Sequence, residues 1–110
     1  MEKFAVARLV DIYREILTER QKEVMSLYFD FDLSLAEIAE RKSVSRQSVS
    51  DLIRRTTEEL VQTESKLHLA AMNAAIGKAQ QKLRELSLRH PRIAQEAEEI
   101  EKILSAVIGP

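Results

Sequence analysis

No cysteine occurs among the 110 residues, which excludes a disulfide framework and a thiolate metal site and fits a reducing compartment. Glycine and proline occur twice each and aromatics make up 5% of the chain. Long stretches show 3.6-residue periodicity without strand-like alternation, so the expected fold is all-α. The sequence has no glycine-rich loop, no His-Glu-x-x-His and no nucleophile elbow, and adjacent acids such as Glu98-Glu99 read as helix-face charge, so catalysis has no support and no enzyme is expected. His68 and His90 lie far apart with no carboxylate or thiol at ligand spacing, so neither a metal nor another cofactor is expected. The most apolar stretch, Leu67 to Ile76, is interrupted by His68 and Asn73 and is too short to span a bilayer. The start, Met1-Glu2-Lys3-Phe4, puts an acid where a signal peptide needs basic charge. The expectation is a soluble, cytoplasmic protein with no membrane insertion.

What is present is concentrated between Ser34 and Arg55. A first helix opens with the capping box Ser34-Leu35-Ala36-Glu37 and turns Leu35, Ile38 and Ala39 inward. Lys42, Ser43 and Val44 break the period. Ser45 then offers a second N-cap before a helix whose apolar positions are Val49, Leu52 and Ile53. This leaves Ser45, Arg46, Gln47, Ser50, Asp51 and Arg54 outward. Two capped helices with Arg, Gln and Ser on the exposed N-terminal turns of the second make the pattern of a helix-turn-helix reader of double-stranded DNA. The net charge of −1 is low for a nucleic-acid binder, but its distribution is uneven: Arg41 to Arg55 carries +4, between acidic flanks at Asp30 to Glu40 and Glu58 to Glu64. Arg54 and Arg55 join the candidate contacts, although each has an acid four residues on, Glu58 and Glu59, with which to pair. Asp51 repels phosphate and can accept only from cytosine.

The pattern departs from the usual one at two positions. Ser43 stands where glycine commonly adopts a left-handed turn, and Lys42 where an apolar residue is common. A serine with positive φ costs about 1 kcal/mol or somewhat more, so the turn is expected to be one residue longer than usual.

Before this motif, the spacing predicts a first helix from about Lys3 to Leu17 with a buried stripe of Phe4, Leu9, Ile12, Tyr13 and Ile16. A Thr18-x-x-Gln21 capping box predicts a second helix that buries Val24, Met25, Leu27, Tyr28 and Phe31. After it, the stripe Val49, Ile53, Thr56, Leu60, Thr63 and Leu67 predicts that the reading helix runs on past the head. Gly77 weakens it by about 1 kcal/mol relative to alanine without ending it. His90-Pro91 is the break. From Pro91 to Ile108 a last helix carries Ile93, Ala97, Ile100, Leu104 and Val107 on one seam. Three roles for that seam stay open: folding back on the same chain, a homodimer contact, or docking a different protein. The organisation expected is a head over residues 1–60 and a coiled-coil-like helical tail over 61–110.

Leu17-Thr18-Glu19-Arg20-Gln21-Lys22-Glu23-Val24 followed by Leu33 to Ala39 resembles region 4 of bacterial sigma-70-type factors, which recognises promoter DNA. A smaller family is closer. Leu27-Tyr28, Leu33-Ser34-Leu35, Glu37-Ile38-Ala39-Glu40, Val44-Ser45-Arg46-Gln47, Ile53 and Arg55-Thr56, with the length and the helical tail, are similar to the YlxM-type helix-turn-helix proteins. Genes of that family usually lie beside those of the signal-recognition-particle GTPase and its receptor. The resemblance therefore implies a DNA-binding regulator with a part in the signal-recognition-particle pathway. The alternative it implies is an adaptor that binds signal-recognition-particle protein or RNA rather than DNA.

Overall fold

In a computed structural model, which describes residues 2–108, the chain is all-α, and among the described residues no strand occurs. Among the described residues six α-helices follow one another: α1 (Lys3–Ile12), α2 (Glu19–Phe29), α3 (Leu35–Lys42), α4 (Arg46–Leu67), α5 (Leu69–Arg89) and α6 (Ala94–Ile108). Single 3-10 turns stand at Arg14–Ile16 and Pro91–Ile93. The contacts divide the chain into two compact units, the first ending at Ala70 and the second beginning at Ala71.

In the first unit two apolar clusters share α4. Val6, Leu9, Val10, Tyr13 and Leu17 from the N-terminal segment meet Met25 and Leu60 in one. Val24, Ile38, Ala39 and Val49 make the other, with Leu27, Tyr28, Leu33, Leu35, Val44 and Leu52 packed around them. Ile53 touches both. The capping boxes read from the sequence are present: Thr18 and Gln21 exchange hydrogen bonds at the start of α2, as Ser34 and Glu37 do at the start of α3. Gln21 reaches further, its Nε2 donating to the buried Thr56 Oγ1 and to Glu59 Oε2, both at 3.2 Å. One side chain thus caps α2 and ties it to α4, and it leaves the Thr56 hydroxyl satisfied in the interior.

Three expectations from the sequence are corrected here. The first helix ends at Ile12 rather than Leu17, because Tyr13 leaves helical geometry and the next turn tightens to 3-10. With three residues per turn instead of 3.6, Ile16 swings outward and Leu17 goes in. Phe4 is also exposed, at 79%, and Val6 and Val10 hold the buried places. Phe31 is exposed because α2 stops at Phe29, which packs into the core instead, and Asp32 then turns left-handed at φ 55. Finally, the long helix is two helices. His68 adopts a left-handed conformation, φ 58 and ψ 28, between α4 and α5.

The hinge at His68 is fixed by the residue that ends the first helix. The buried Tyr13 hydroxyl donates to Glu64 Oε1 at 2.5 Å and accepts from the Leu69 amide at 3.2 Å, and the same Glu64 oxygen accepts from the Ala70 amide at 2.9 Å. Two amides at the start of α5, which no preceding turn can satisfy, are taken up in this way. Burial, followed by the hydrogen bond to Glu64, raises the Tyr13 pKa.

In the second unit α5 and α6 pair antiparallel. Gln80 Nε2 donates to Ser105 Oγ at 3.0 Å, and Arg84 bonds Glu101 at 2.7 Å. The last helix thus folds back on the distal half of what the spacing reads as one long helix. Ala97 is buried, Ile93 and Leu104 are half-buried, and Ile100, Ile103 and Val107 remain exposed. Gly77 lies inside α5 without ending it. Among the described residues no helix is long and apolar enough to cross a membrane.

Replacing Tyr13 with phenylalanine keeps the ring and removes both hydroxyl bonds. The expected loss is about 1–3 kcal/mol, read as a lower denaturation midpoint in urea.

Candidate nucleic-acid interface

The placement of α4 begins with the turn before it. Ser43 is left-handed, φ 57 and ψ 44, and its amide donates to the carbonyls of Ala39 and Glu40, while the Val44 amide donates to Ala39. This pairing is a Schellman motif, completed by the contact of Val44 with Ile38 and Ala39 in the core. The turn therefore keeps its usual length, and Ser43 bears the strain that glycine would avoid. The expected extra residue is absent because burial of Val44 and the satisfied carbonyls outweigh that local cost. Lys42, the other departure, is accommodated by an ion pair with Glu23 of α2.

Ser45 then starts α4, its Oγ accepting from the Ser48 amide at 3.0 Å. Val49, Thr56 and Leu60 bury one side of the helix, so the opposite side must face out. Arg46, Gln47, Arg54 and Arg55 are exposed, as is Ser45, while Ser50 and Asp51 are half-buried. The candidates therefore fall on neighbouring rows one turn apart. Arg46, Ser50 and Arg54 form one row; Gln47, Asp51 and Arg55 form the next. Gln47 donates to Asp51 Oδ1 at 3.1 Å, and Arg54 reaches Asp51 at 3.5 Å and Glu58 at 3.4 Å. The pairing expected of Arg54 is present. That expected of Arg55 is not, since Glu59 accepts from Gln21 instead. Among the described residues Arg46 and Arg55 form no ion pair.

A groove of about 590 Å³ runs along this face, between the starts of α2 and α4. It gathers Ser45, Gln47, Asp51 and Arg55 from the candidates; Arg46, Ser50 and Arg54 lie outside it. It also brings in Arg20, which reasoning from the motif alone missed. Arg20 sits in the first turn of α2, so its proximity to α4 is a tertiary fact, although the Thr18–Gln21 box fixed its place on the helix. Arg20 too forms no ion pair among the described residues. Free guanidinium groups from two helices beside a capped helix start suit a phosphate-bearing ligand.

Residues 1–101 match the family described as "Putative helix-turn-helix protein, YlxM / p13 like", UPF0122. The chain is 50% identical over 80 residues to a UPF0122 protein of Clostridium novyi (strain NT), covering 73% of this chain and 70% of that protein. It is 50% identical over 68 residues to one of Clostridium botulinum (strain Alaska E43 / Type E3), 62% of each chain. A third, from Clostridium kluyveri (strain NBRC 12016), is 53% identical over 68 residues, 62% of this chain and 61% of that one. The match thus spans less than two thirds of the latter two relatives' length.

Two measurements test the supports of α4. Ser43→Gly relieves the left-handed strain and should raise stability by about 0.5–1 kcal/mol after the entropy cost of glycine, seen as a higher urea midpoint at unchanged slope. The Ser34 amide and hydroxyl hold the Glu37 carboxyl below its usual 4.5, so its contribution is present above that pH and is lost as pH falls through the lower folded value. Asp32, held low by its hydrogen bond to Lys3, adds to the same acid window. The melting temperature should fall as the protein is acidified below the usual carboxylate range. It should fall less in Glu37→Gln, whose amide oxygen still accepts from Ser34 at every pH.

Proposed function

The chain belongs to the YlxM / p13-like helix-turn-helix family, and from that premise we propose that it is a bacterial, cytoplasmic DNA-binding regulator. It lays the first turns of α4 in the major groove, with a head related in kind to region 4 of sigma-70-type factors. The observation that carries this reading is the α3–Ser43–α4 turn: it buries one side of α4 in the core and leaves Arg46 and Gln47 exposed at the helix start. Ser45, Arg46, Gln47, Ser50, Asp51, Arg54 and Arg55 make up the reading face, and Arg20 and Arg55 serve the phosphates. Residues 61–110 act as the tail. With about three to five phosphate contacts per head, one copy binds weakly and with a steep salt dependence. Exposed Ile100, Ile103 and Val107 on α6 support pairing of two copies through the tail. Two reading helices must then meet successive major grooves about 34 Å apart.

The same exposed row, with the net charge of −1, supports a second reading. Here the chain is an adaptor for signal-recognition-particle protein or RNA, in line with the gene neighbourhood of its family, and DNA is not its ligand.

Selection from sheared bacterial genomic DNA at about 150 mM salt, where nonspecific binding is suppressed, separates the two. The regulator should enrich a defined, two-fold symmetric site. Arg46→Ala with Gln47→Ala should lose it. Arg20→Ala should keep the site but flatten the log–log salt slope by about 0.9 per head. No enrichment by the unaltered chain would overturn the regulator in favour of the adaptor.

A further inference from the structure

An acidic residue in the middle of a DNA-reading face is a cost that calls for a reason. Asp51 lies one turn after Gln47 on α4, half-buried, and accepts from Gln47 Nε2 at 3.1 Å and from Arg54 Nη2 at 3.5 Å through the same Oδ1 atom. We infer that Asp51 is a positioning residue that sets the Gln47 carboxamide to read adenine in the major groove; the inference rests on α4 being the reading helix.

An ionised carboxylate only accepts hydrogen bonds. The nitrogen of the Gln47 amide, and not its oxygen, must therefore turn towards Asp51. A terminal amide torsion is otherwise broad and roughly two-fold, so this contact selects one of two faces. What stays available is Oε1 and the second Nε2 hydrogen, an acceptor beside a donor. Adenine presents the complement, the N6 donor beside the N7 acceptor, whereas guanine presents two acceptors, N7 and O6. Guanine would set its O6 against the amide oxygen. The same anchoring spares Gln47 part of the ordering cost that a free side chain pays on binding.

Arg54 answers the charge problem. Its guanidinium spans Asp51 and Glu58, so Asp51 is partly neutralised from within the helix and repels the DNA backbone less than a lone carboxylate would. The residual repulsion acts on every sequence alike, and the gain from an oriented Gln47 acts only at adenine. Affinity for random DNA is thus given up for discrimination.

The test is selection of sites by the full chain from duplexes with a randomised core, followed by affinity measurement. The unaltered chain should select adenine at one position of each half-site, by about 5- to 150-fold over other bases, the worth of a bidentate amide–adenine pair. Gln47→Ala and Asp51→Ala should each lose that preference. Asp51→Asn should keep it, because its carbonyl oxygen still accepts from Gln47. Asp51→Ala should also bind random duplex more tightly, a direction that a damaged fold would not take. Replacing that adenine with 7-deazaadenine, which lacks the N7 acceptor, should weaken the unaltered chain and leave Gln47→Ala unaffected. Retention of adenine by Asp51→Ala would overturn the inference, as would equal loss in the Ala and Asn variants, and either result leaves α4 as the reading helix. Enrichment of no sequence by the unaltered chain would remove both.

Discussion

The candidate face of α4 is held from behind, by burial of the opposite side of the helix in two apolar clusters. Ile53 touches both clusters, Val49 anchors one and Leu60 the other. A helix gripped on one side at points spread over three turns cannot rotate without exposing large apolar side chains. At about 25 cal/mol per Å² of apolar surface, such exposure is costly. The orientation of Arg46, Gln47 and Asp51 is therefore a consequence of core packing rather than of anything these polar residues do for one another. Their mutual hydrogen bonds act on a smaller scale, fixing side-chain direction within a face that the core has already turned outward.

Polar groups at the helix ends complete this hold. Thr18, Ser34 and Ser45 each cap the helix that follows. Gln21 extends one cap across to Thr56 and Glu59, so that the start of α2 and the middle of α4 share a side chain. That link also explains the charge pattern of the groove. Because Glu59 is engaged by Gln21, Arg55 is left without its expected partner four residues away, and it stands on the same groove as Arg20. A structural hydrogen bond thus frees a cation at the place where an anionic ligand would be met.

The hinge at His68 shows the same economy over a longer span. A left-handed residue that is not glycine costs about 1–2 kcal/mol, and the neighbouring Glu64 offsets it together with a residue far away in sequence. Tyr13 and Glu64, 51 residues apart in sequence, do so by supplying acceptors for the first amides of α5. The second unit begins just beyond, and its α5–α6 hairpin buries little of its apolar surface. Ile100, Ile103 and Val107 stay open to solvent.

The sequence by itself determined the helix starts at Thr18, Ser34 and Ser45, the break before Pro91, the inward residues of α3 and of α4 as far as Leu60, and the exposure of Arg46, Gln47 and Arg54, while Leu67, on the same stripe, is exposed. All of these are settled by hydrogen bonds and apolar spacings within one or two turns, which neighbouring residues specify on their own. Only the tertiary structure decided the left-handed Ser43, the hinge at His68, the choice of Phe29 over Phe31 for the core, and the meeting of Arg20 with Arg55. In each of these the local preference is weak or adverse. The outcome is set by partners distant in sequence, such as Tyr13 for His68 and the core around Val44 for Ser43, whose burial and hydrogen bonds outweigh the local cost. Spacing along a helix therefore revealed the candidate face, but which of its charges stand free was decided by side chains that another helix brings to it.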